Sequence, residues 1–339
     1  MGTIINIILF ILILGILVLV HELGHFLTAK KSGVFIHEFS IGMGPLIKTF
    51  KGKDGINYSI RALPIGGYVQ MAGEIYEDDD TDKIPKEQFM CNRPWYQRFI
   101  ILVAGVFNNF LLAIVLLFVI ALIWGAPSLE PKIYDVTEGK PVAEAGIVSG
   151  DVITEINGTK VKTWDKAQLL LLLKTDDDTY KITVKHTDGT HDTYDVKPEE
   201  VEDEDGEKSR VFGIEMKNEV TKGFVPALKY AFKKFGSTLE QMCLTLSSLF
   251  TGGLSINNLS GPVGIYTVVG ETREAGVSSI LFLVAYLSIN LGIMNILPIP
   301  ALDGGHVLFL LIELITRKKV NQKVESITTT IFFVLLLLL

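Results

Sequence analysis

The residues whose types and spacing carry the clearest chemistry are His21-Glu22-Leu23-Gly24-His25. Residues four apart share one face of a helix, so His21 and His25 can hold a single Zn2+ ion while Glu22 stands beside it as a general base. These five residues close an apolar run that begins at Ile4 and is long enough to enter a bilayer. Ionisable side chains are costly inside a membrane and mark a functional site by default, so the pattern names a chemistry and a location together. Catalytic zinc takes three protein ligands and keeps one position open, which leaves one ligand to find.

Asp303 ends the block Asn295-Ile296-Leu297-Pro298-Ile299-Pro300-Ala301-Leu302-Asp303-Gly304-Gly305. Two prolines and two glycines interrupt helical pairing there, and irregular backbone at membrane depth is tolerated only where it is buried in protein or lines a wet cavity. His306, three positions on, can share a helical face with Asp303 and competes for the role. A carboxylate in an apolar segment needs a cation more than a neutral imidazole does, which favours Asp303. The competing structural role for Asp303 is a helix N-cap. An aspartyl mechanism needs a second facing aspartate, which the apolar segments lack, and a serine mechanism lacks a nucleophile elbow.

The elements that must position these groups read as a polytopic α-helical membrane protein carrying a soluble insert. Apolar residues make up 48% of the chain while charges gather in blocks. Crossing a hydrocarbon core takes about 20 predominantly apolar residues. Three complete transmembrane helices fit, over Ile4 to Ala29, Phe99 to Trp124, and Gly276 to about Leu302. A fourth begins near Ile327 and stops within a leucine run at Leu339, read as the start of a truncated helix.

The expected division is a first transmembrane helix with the histidine pair (residues 1–29), a β-loop region (30–98) and a second transmembrane helix (99–126). A small domain (127–220), an amphipathic interfacial segment (221–275), a third transmembrane helix with the proline–aspartate block (276–316), and a turn with the truncated fourth helix (317–339) follow. The first segment lacks a basic leader and a small-residue cleavage site, so it is read as retained. Lysines and arginines crowd the loop between the first two helices, from Lys30 and Lys31 to Arg93 and Arg98, which places that loop in the cytoplasm and the N-terminus outside. The insert then lies outside the cytoplasm, and Cys91 and Cys243 fall on opposite sides, which argues against a disulfide between them. A net charge of −7 without a basic stripe argues against nucleic acid as a partner, and the apolar segments make the lipid bilayer one.

Between Val34 and Glu74, short alternating runs flank Lys53-Asp54-Gly55, which predicts hairpin strands whose edge can pair with an extended peptide. Residues 128–218, with turns at Asn157-Gly158 and Asp188-Gly189 and a helix over Asp165 to Lys174, read as one α+β domain. The acidic run Glu199 to Glu207 reads as a solvated loop. Phe224, Leu228, Phe232 and Leu239, with Lys229, Lys233 and Lys234 between them, predict an interfacial amphipathic helix over Gly223 to Phe250. Asn109, Asn290 and Asn295 lie in apolar helices, where amides usually bond between helices.

Four blocks in order carry a family resemblance: His21 to His25; Ile41-Gly42-Met43-Gly44-Pro45 with Leu63-Pro64-Ile65-Gly66-Gly67-Tyr68-Val69; Gly105 to Asn109; and Asn295 to Gly305. Over essentially its whole length the chain resembles the site-2 proteases, specifically the bacterial regulator-of-sigma-E type of intramembrane zinc metalloprotease with a single PDZ domain. The resemblance implies that His21, His25 and Asp303 hold Zn2+ and that Glu22 acts on the water zinc activates. It implies a membrane-associated β-loop beside the active site built on Gly42, Gly44, Pro45, Gly66 and Gly67, with Asn295, Asn290, Gly66 and Gly67 contacting substrate. Pro141 to Ile153 followed by Ile156-Asn157-Gly158 resembles an extracytoplasmic PDZ domain. Val211-Phe212-Gly213-Ile214 resembles its carboxylate loop, so Phe212, Gly213 and Ile214 would line a peptide groove, unless the domain serves as a size filter. The implied substrates are single-pass membrane proteins already cut by another protease, such as anti-sigma factors and remnant signal peptides, in the bacterial cytoplasmic membrane. The alternative is a catalytically silent PDZ membrane scaffold or chaperone.

Overall fold

The computed structural model describes residues 2–73, 84–173, 178–202, 208–216, 219–251 and 262–338. The expected boundaries at Glu74, Lys174 and Asn218, and residues 203–207 of the acidic run, lie outside the described residues. In chain order come α1 (Gly2–Lys31), β1 (Ile36–Lys51), β2 (Asn57–Met71), α2 (Trp95–Trp124), β3 (Ala126–Pro127), β4 (Asp135–Val136) and α3 (Pro141–Glu144). Then follow β5 (Val152–Ile156), β6 (Thr159–Lys160), α4 (Trp164–Leu172), β7 (Tyr180–Lys185), β8 (His191–Val196), β9 (Glu199–Glu202), β10 (Lys208–Val211), β11 (Ile214–Glu215) and β12 (Val220–Thr221). Five further helices are α5 (Phe224–Thr251), α6 (Pro262–Glu274), α7 (Val277–Ile296), α8 (Asp303–Thr316) and α9 (Gln322–Leu338). Two compact units result, Met1–Leu116 with Pro262–Leu339, and Leu117–Gly261.

In the first unit, α1, α2 and α7 are long and apolar enough to cross a membrane. Helix is the form an apolar run must take there, because lipid offers its backbone no hydrogen-bond partner. The third apolar region is two helices rather than one. Pro298 and Pro300 cannot donate a backbone hydrogen bond, so α7 ends at Ile296 and the chain runs through a turn before α8 starts at Asp303. Buried Ile13 and Leu17 on α1 pack with Val269 of α6 and with Leu283 and Val284 of α7.

The Lys53-Asp54-Gly55 turn forms as expected, with Gly55 at φ +82°, but the strands it joins pair twice. Ile36 stands opposite Met71 and Ile41 opposite Gly67, while Glu38 and Ile41 also face Asn57 and Ile60. The first half of β1 is thereby flanked on both sides by β2, and beyond the bend Leu46 to Lys51 pairs with Arg61 to Asn57. The bend needs glycine. Gly42 has φ +87°, and a β-carbon there would lie 2.7 Å from the Leu63 carbonyl oxygen. Ile47, Phe50, Leu46 and Leu63 remain more than half exposed, a concentration of bare apolar side chains unusual on a water-facing sheet.

The second unit is built on a four-stranded antiparallel sheet in the order β6-β5-β7-β8. Ile153, Ile156, Tyr180, Ile182 and Val184 are fully buried in one cluster with Trp164, Ala167 and Leu170 of α4, which places α4 on the sheet. Asn157 at φ +48° and Gly158 at φ +76° make the tight β5–β6 turn that their sequence predicts. Asp151 is fully buried, accepting hydrogen bonds from His186 Nδ1 at 2.8 Å and from the Val148 N–H at 3.1 Å. The segment expected to be amphipathic is α5, whose Phe224, Val225 and Phe232 are more than half exposed.

Candidate metal centre

His21 and His25 lie one turn apart on α1, both buried, with their Nε2 atoms 3.2 Å from one another. Asp303 brings Oδ2 to 3.0 Å from His21 Nε2 and 3.4 Å from His25 Nε2. The turn before α8 makes this approach possible. Backbone bonds from Ile299 to Leu297 and from Leu302 to Ile299 tighten it, and Gly304 and Gly305 let α8 start against it. A β-carbon at Gly304 would sit 2.3 Å from the Ile296 carbonyl oxygen, and one at Gly305 2.3 Å from that of Ile299. Asp303 is not spent as a cap: Leu302 holds the N-cap position and no side-chain cap bond forms. The rival ligand His306 is turned away, with Nδ1 2.9 Å from Glu325 Oε1 on α9.

Asp303 Oδ2 is buried and, among the described residues, has no aligned hydrogen-bond partner despite its two close nitrogens. A buried carboxylate oxygen pressed against two ring nitrogens without hydrogen bonds is an arrangement that a cation resolves. Space for one is kept by Gly105 of α2, where a β-carbon would lie 2.4 Å from His25 Nε2 and 2.7 Å from His21 Nε2. Two imidazole nitrogens and one carboxylate oxygen suit zinc in a catalytic site, so the residues present fit the ion. Among the described residues this is the only group of three such side chains that could hold a metal.

The groups behind the cluster are specific. His25 Nδ1 donates to the Ile101 carbonyl at 2.8 Å, and the Asn109 side-chain amide lies 3.1 Å from His21 Nδ1. Asn295 Nδ2 reaches to 3.4 Å from His21 Nε2, so this expected substrate contact does lie at the cluster. Asn290 presents a buried Oδ1 without a hydrogen-bond partner among the described residues and makes no hydrogen bond to the cluster there. Glu22 is half-buried beside the histidines, with the Val69 backbone of β2 within hydrogen-bonding reach. Gly66 and Gly67 serve close packing: a β-carbon on Gly67 would meet the Ser40 carbonyl oxygen at 2.4 Å, and one on Gly66 would meet Val18 of α1 at 3.1 Å.

In the second unit Phe212 packs inward, edge-on to Tyr180 at 5.2 Å, and its carbonyl accepts from the Val142 N–H. The Gly213 carbonyl accepts from the Thr137 N–H, and Ile214 pairs with Val136. Gly105 and Asn109 were singled out in the sequence only as the ends of a block and, for Asn109, as an interhelical amide; their placement against the histidine pair was not read from it. Their spacing of four on one apolar helix was the available signal.

The model of the family described as peptidase family M50 matches residues 9–339. The regulator of sigma-W protease RasP of Bacillus subtilis is 32% identical, over 98% of this chain and 96% of its own length. Zinc metalloprotease RasP of Bacillus licheniformis is 33% identical over the same shares. A Clostridium acetobutylicum protein provisionally named a zinc metalloprotease is 36% identical over 98% of this chain and 94% of its own. The chain belongs to peptidase family M50 and is a membrane-embedded zinc metalloprotease of the site-2 type.

Proposed function

We propose that the chain cuts transmembrane segments of single-pass membrane proteins that another protease has already shortened, with anti-sigma factors and remnant signal peptides as the substrate classes. His21, His25 and Asp303 hold the zinc in this reading, and Glu22 is the base. The observation that carries it is the convergence of His21 Nε2, His25 Nε2 and Asp303 Oδ2 within 3.4 Å of one another at the end of a membrane-crossing helix. The name of the Bacillus subtilis relative, a regulator of sigma-W, supports the anti-sigma class.

Bound zinc supplies a Lewis acid for the scissile carbonyl and lowers the pKa of water to about 7. The chain's own residues do the rest. Glu22 takes a proton from the attacking water and returns it to the leaving amine. Asn295, next to the cluster, donates from Nδ2 to the substrate carbonyl as negative charge develops there. The edge of β2 near Val69 gives a helical substrate an alternative set of backbone hydrogen bonds, so that it can be held extended beside Glu22. The bare apolar side chains of β1 and β2 suit a sheet that dips into lipid. The basic loop from Lys30 to Arg98 faces the cytoplasm, and residues 127–220 form a PDZ domain outside it.

The test is cleavage of a single-pass substrate lacking its ectodomain, in membranes carrying either the parent or Glu22→Gln. Cleavage by the parent alone, stopped by a zinc chelator, is the expected result. Equal behaviour of parent and variant across several substrates would overturn the assignment in favour of a catalytically silent scaffold.

A further inference from the structure

His21 and His25 reach the cluster through the same ring atom, Nε2, but are held from behind by different groups. The Ile101 carbonyl can only accept, so His25 carries its proton on Nδ1 and turns the lone pair of Nε2 toward Asp303. Among the described residues His21 has no such carbonyl. Its Nδ1 faces the side-chain amide of Asn109 at 3.1 Å, and Asn109 is fully buried.

An amide can offer this nitrogen either of its ends. With Nδ2 toward the ring, Nδ1 accepts, the proton of a neutral His21 sits on Nε2, and the lone pair needed by a metal is blocked. With Oδ1 toward the ring, Nδ1–H donates and Nε2 is free. Oδ1 is also the end that lacks a partner among the described residues, and a half-turn about χ2 gives it one. The backbone under this side chain is pinned, because Ser288 of α7 donates to the Asn109 carbonyl at 2.7 Å. Gly105, which keeps the cluster open, lies one turn before Asn109 on α2.

We propose that Asn109 is a positioning residue for the zinc site: through Oδ1 it fixes His21 in the Nδ1–H tautomer, so that both histidines present Nε2 lone pairs to the ion. The inference rests on the reading of His21 as a ligand. Groups that orient ligating histidines in this way are worth about 10–100-fold in metal affinity.

The experiment measures zinc affinity of the detergent-purified full chain by competition with a chelator, for the parent, Asn109→Asp, Asn109→Leu and His21→Ala, with thermal unfolding as the folding control. Cobalt-loaded samples add the absorption spectrum of the bound ion. Asn109→Asp keeps an acceptor and is expected to bind zinc within a few-fold of the parent, with the parent's cobalt spectrum. Asn109→Leu removes the acceptor at similar volume and is expected to lose about 10–100-fold and to shift that spectrum. Parental affinity in Asn109→Leu, or equal losses in the Asp and Leu variants, would overturn the proposal. Should Asn109→Leu not fold, Asn109→Ala carries the same comparison. Loss of zinc in His21→Ala with full retention in Asn109→Leu sinks this inference alone. Full retention in His21→Ala sinks the ligand assignment beneath it.

Discussion

Gly105 of α2 stands where any side chain would collide with His25: a β-carbon there would lie 2.4 Å from Nε2. Real β-carbons do not approach so closely, so even alanine forces α2 and the histidine pair apart. The helices have no slack to absorb this, since a β-carbon at Gly24 of α1 would meet the Ala104 carbonyl oxygen at 2.3 Å. Gly105→Ala is therefore expected to fold in membranes but to lose zinc by more than tenfold in a chelator competition, a loss of more than about 1.4 kcal/mol. Wild-type zinc affinity in this variant would show that the ion sits elsewhere.

The pairing of His306 with Glu325 predicts which of two candidate ligands matters. His306 Nδ1 is 2.9 Å from a carboxylate on α9, whereas Asp303 Oδ2 lies between the two α1 histidines. Asp303→Ala should remove tight zinc binding and proteolysis together, while His306→Gln should leave zinc affinity within a few-fold of the parent. Zinc content measured on both purified variants decides the matter, and the reverse pattern would make His306 the third ligand.

The parts of this molecule that were legible in its sequence are those governed by local rules. The i, i+4 spacing of His21 and His25, the glycine turns at Gly55 and Gly158, and the length of the apolar runs each follow from geometry within a few residues. Pro298 and Pro300 announced an interruption, but not that it would divide the third apolar region into α7 and a separate α8 starting at Asp303 itself. The double pairing of β1 was hidden because it depends on a bend at Gly42 bringing residues distant in sequence together. Asn109 read as a generic interhelical amide; that it stands behind His21 depends on how α2 is rotated against α1, which no periodicity in an almost wholly apolar helix reveals.

Burial of Asp151 against His186 gives the sheet of the second unit a pH dependence. The hydrogen bond from His186 Nδ1 to Asp151 raises the imidazole pKa, with Asp192 and Asp188 adding to the effect. A folded-state pKa above the unfolded one means that protonated His186 contributes stability fully below its unfolded value, about 6.5, and that this is lost as pH rises through the raised folded value. Amide exchange in β7 and β8 of the full chain, corrected for intrinsic rates, should show weaker protection at pH 8.5 than at pH 6. His186→Gln should remove most of that difference. An unchanged pH dependence in the variant would assign the effect to other groups.

Asp165 at the start of α4 holds α5 through a polar clasp. Lys234 Nζ donates to both its carboxylate oxygens, at 2.7 and 2.8 Å, and Ser237 Oγ donates to Oδ2 at 2.9 Å. Ser237 also lies 2.8 Å from Thr163 Oγ1, and both hydroxyls are buried. Lys166 and Glu240, 2.6 Å apart, add a more exposed pair on the same two helices. Because Asp165 accepts from two donors at once, its removal leaves both with weakened partners, and a charge-assisted bond of this kind contributes about 1.5–3 kcal/mol. Lys166→Ala removes a pair with an exposed carboxylate and should cost under about 1 kcal/mol. The expected outcome for Asp165→Ala is faster amide exchange along the first half of α5, with protection of β5 and β7 little changed, because their apolar cluster does not include the clasp. A double-mutant cycle between Asp165→Ala and Lys234→Met should return a coupling of about 1 kcal/mol or more. Additive effects, or protection lost equally in α5 and the sheet, would mean that the Asp165 clasp does not hold α5.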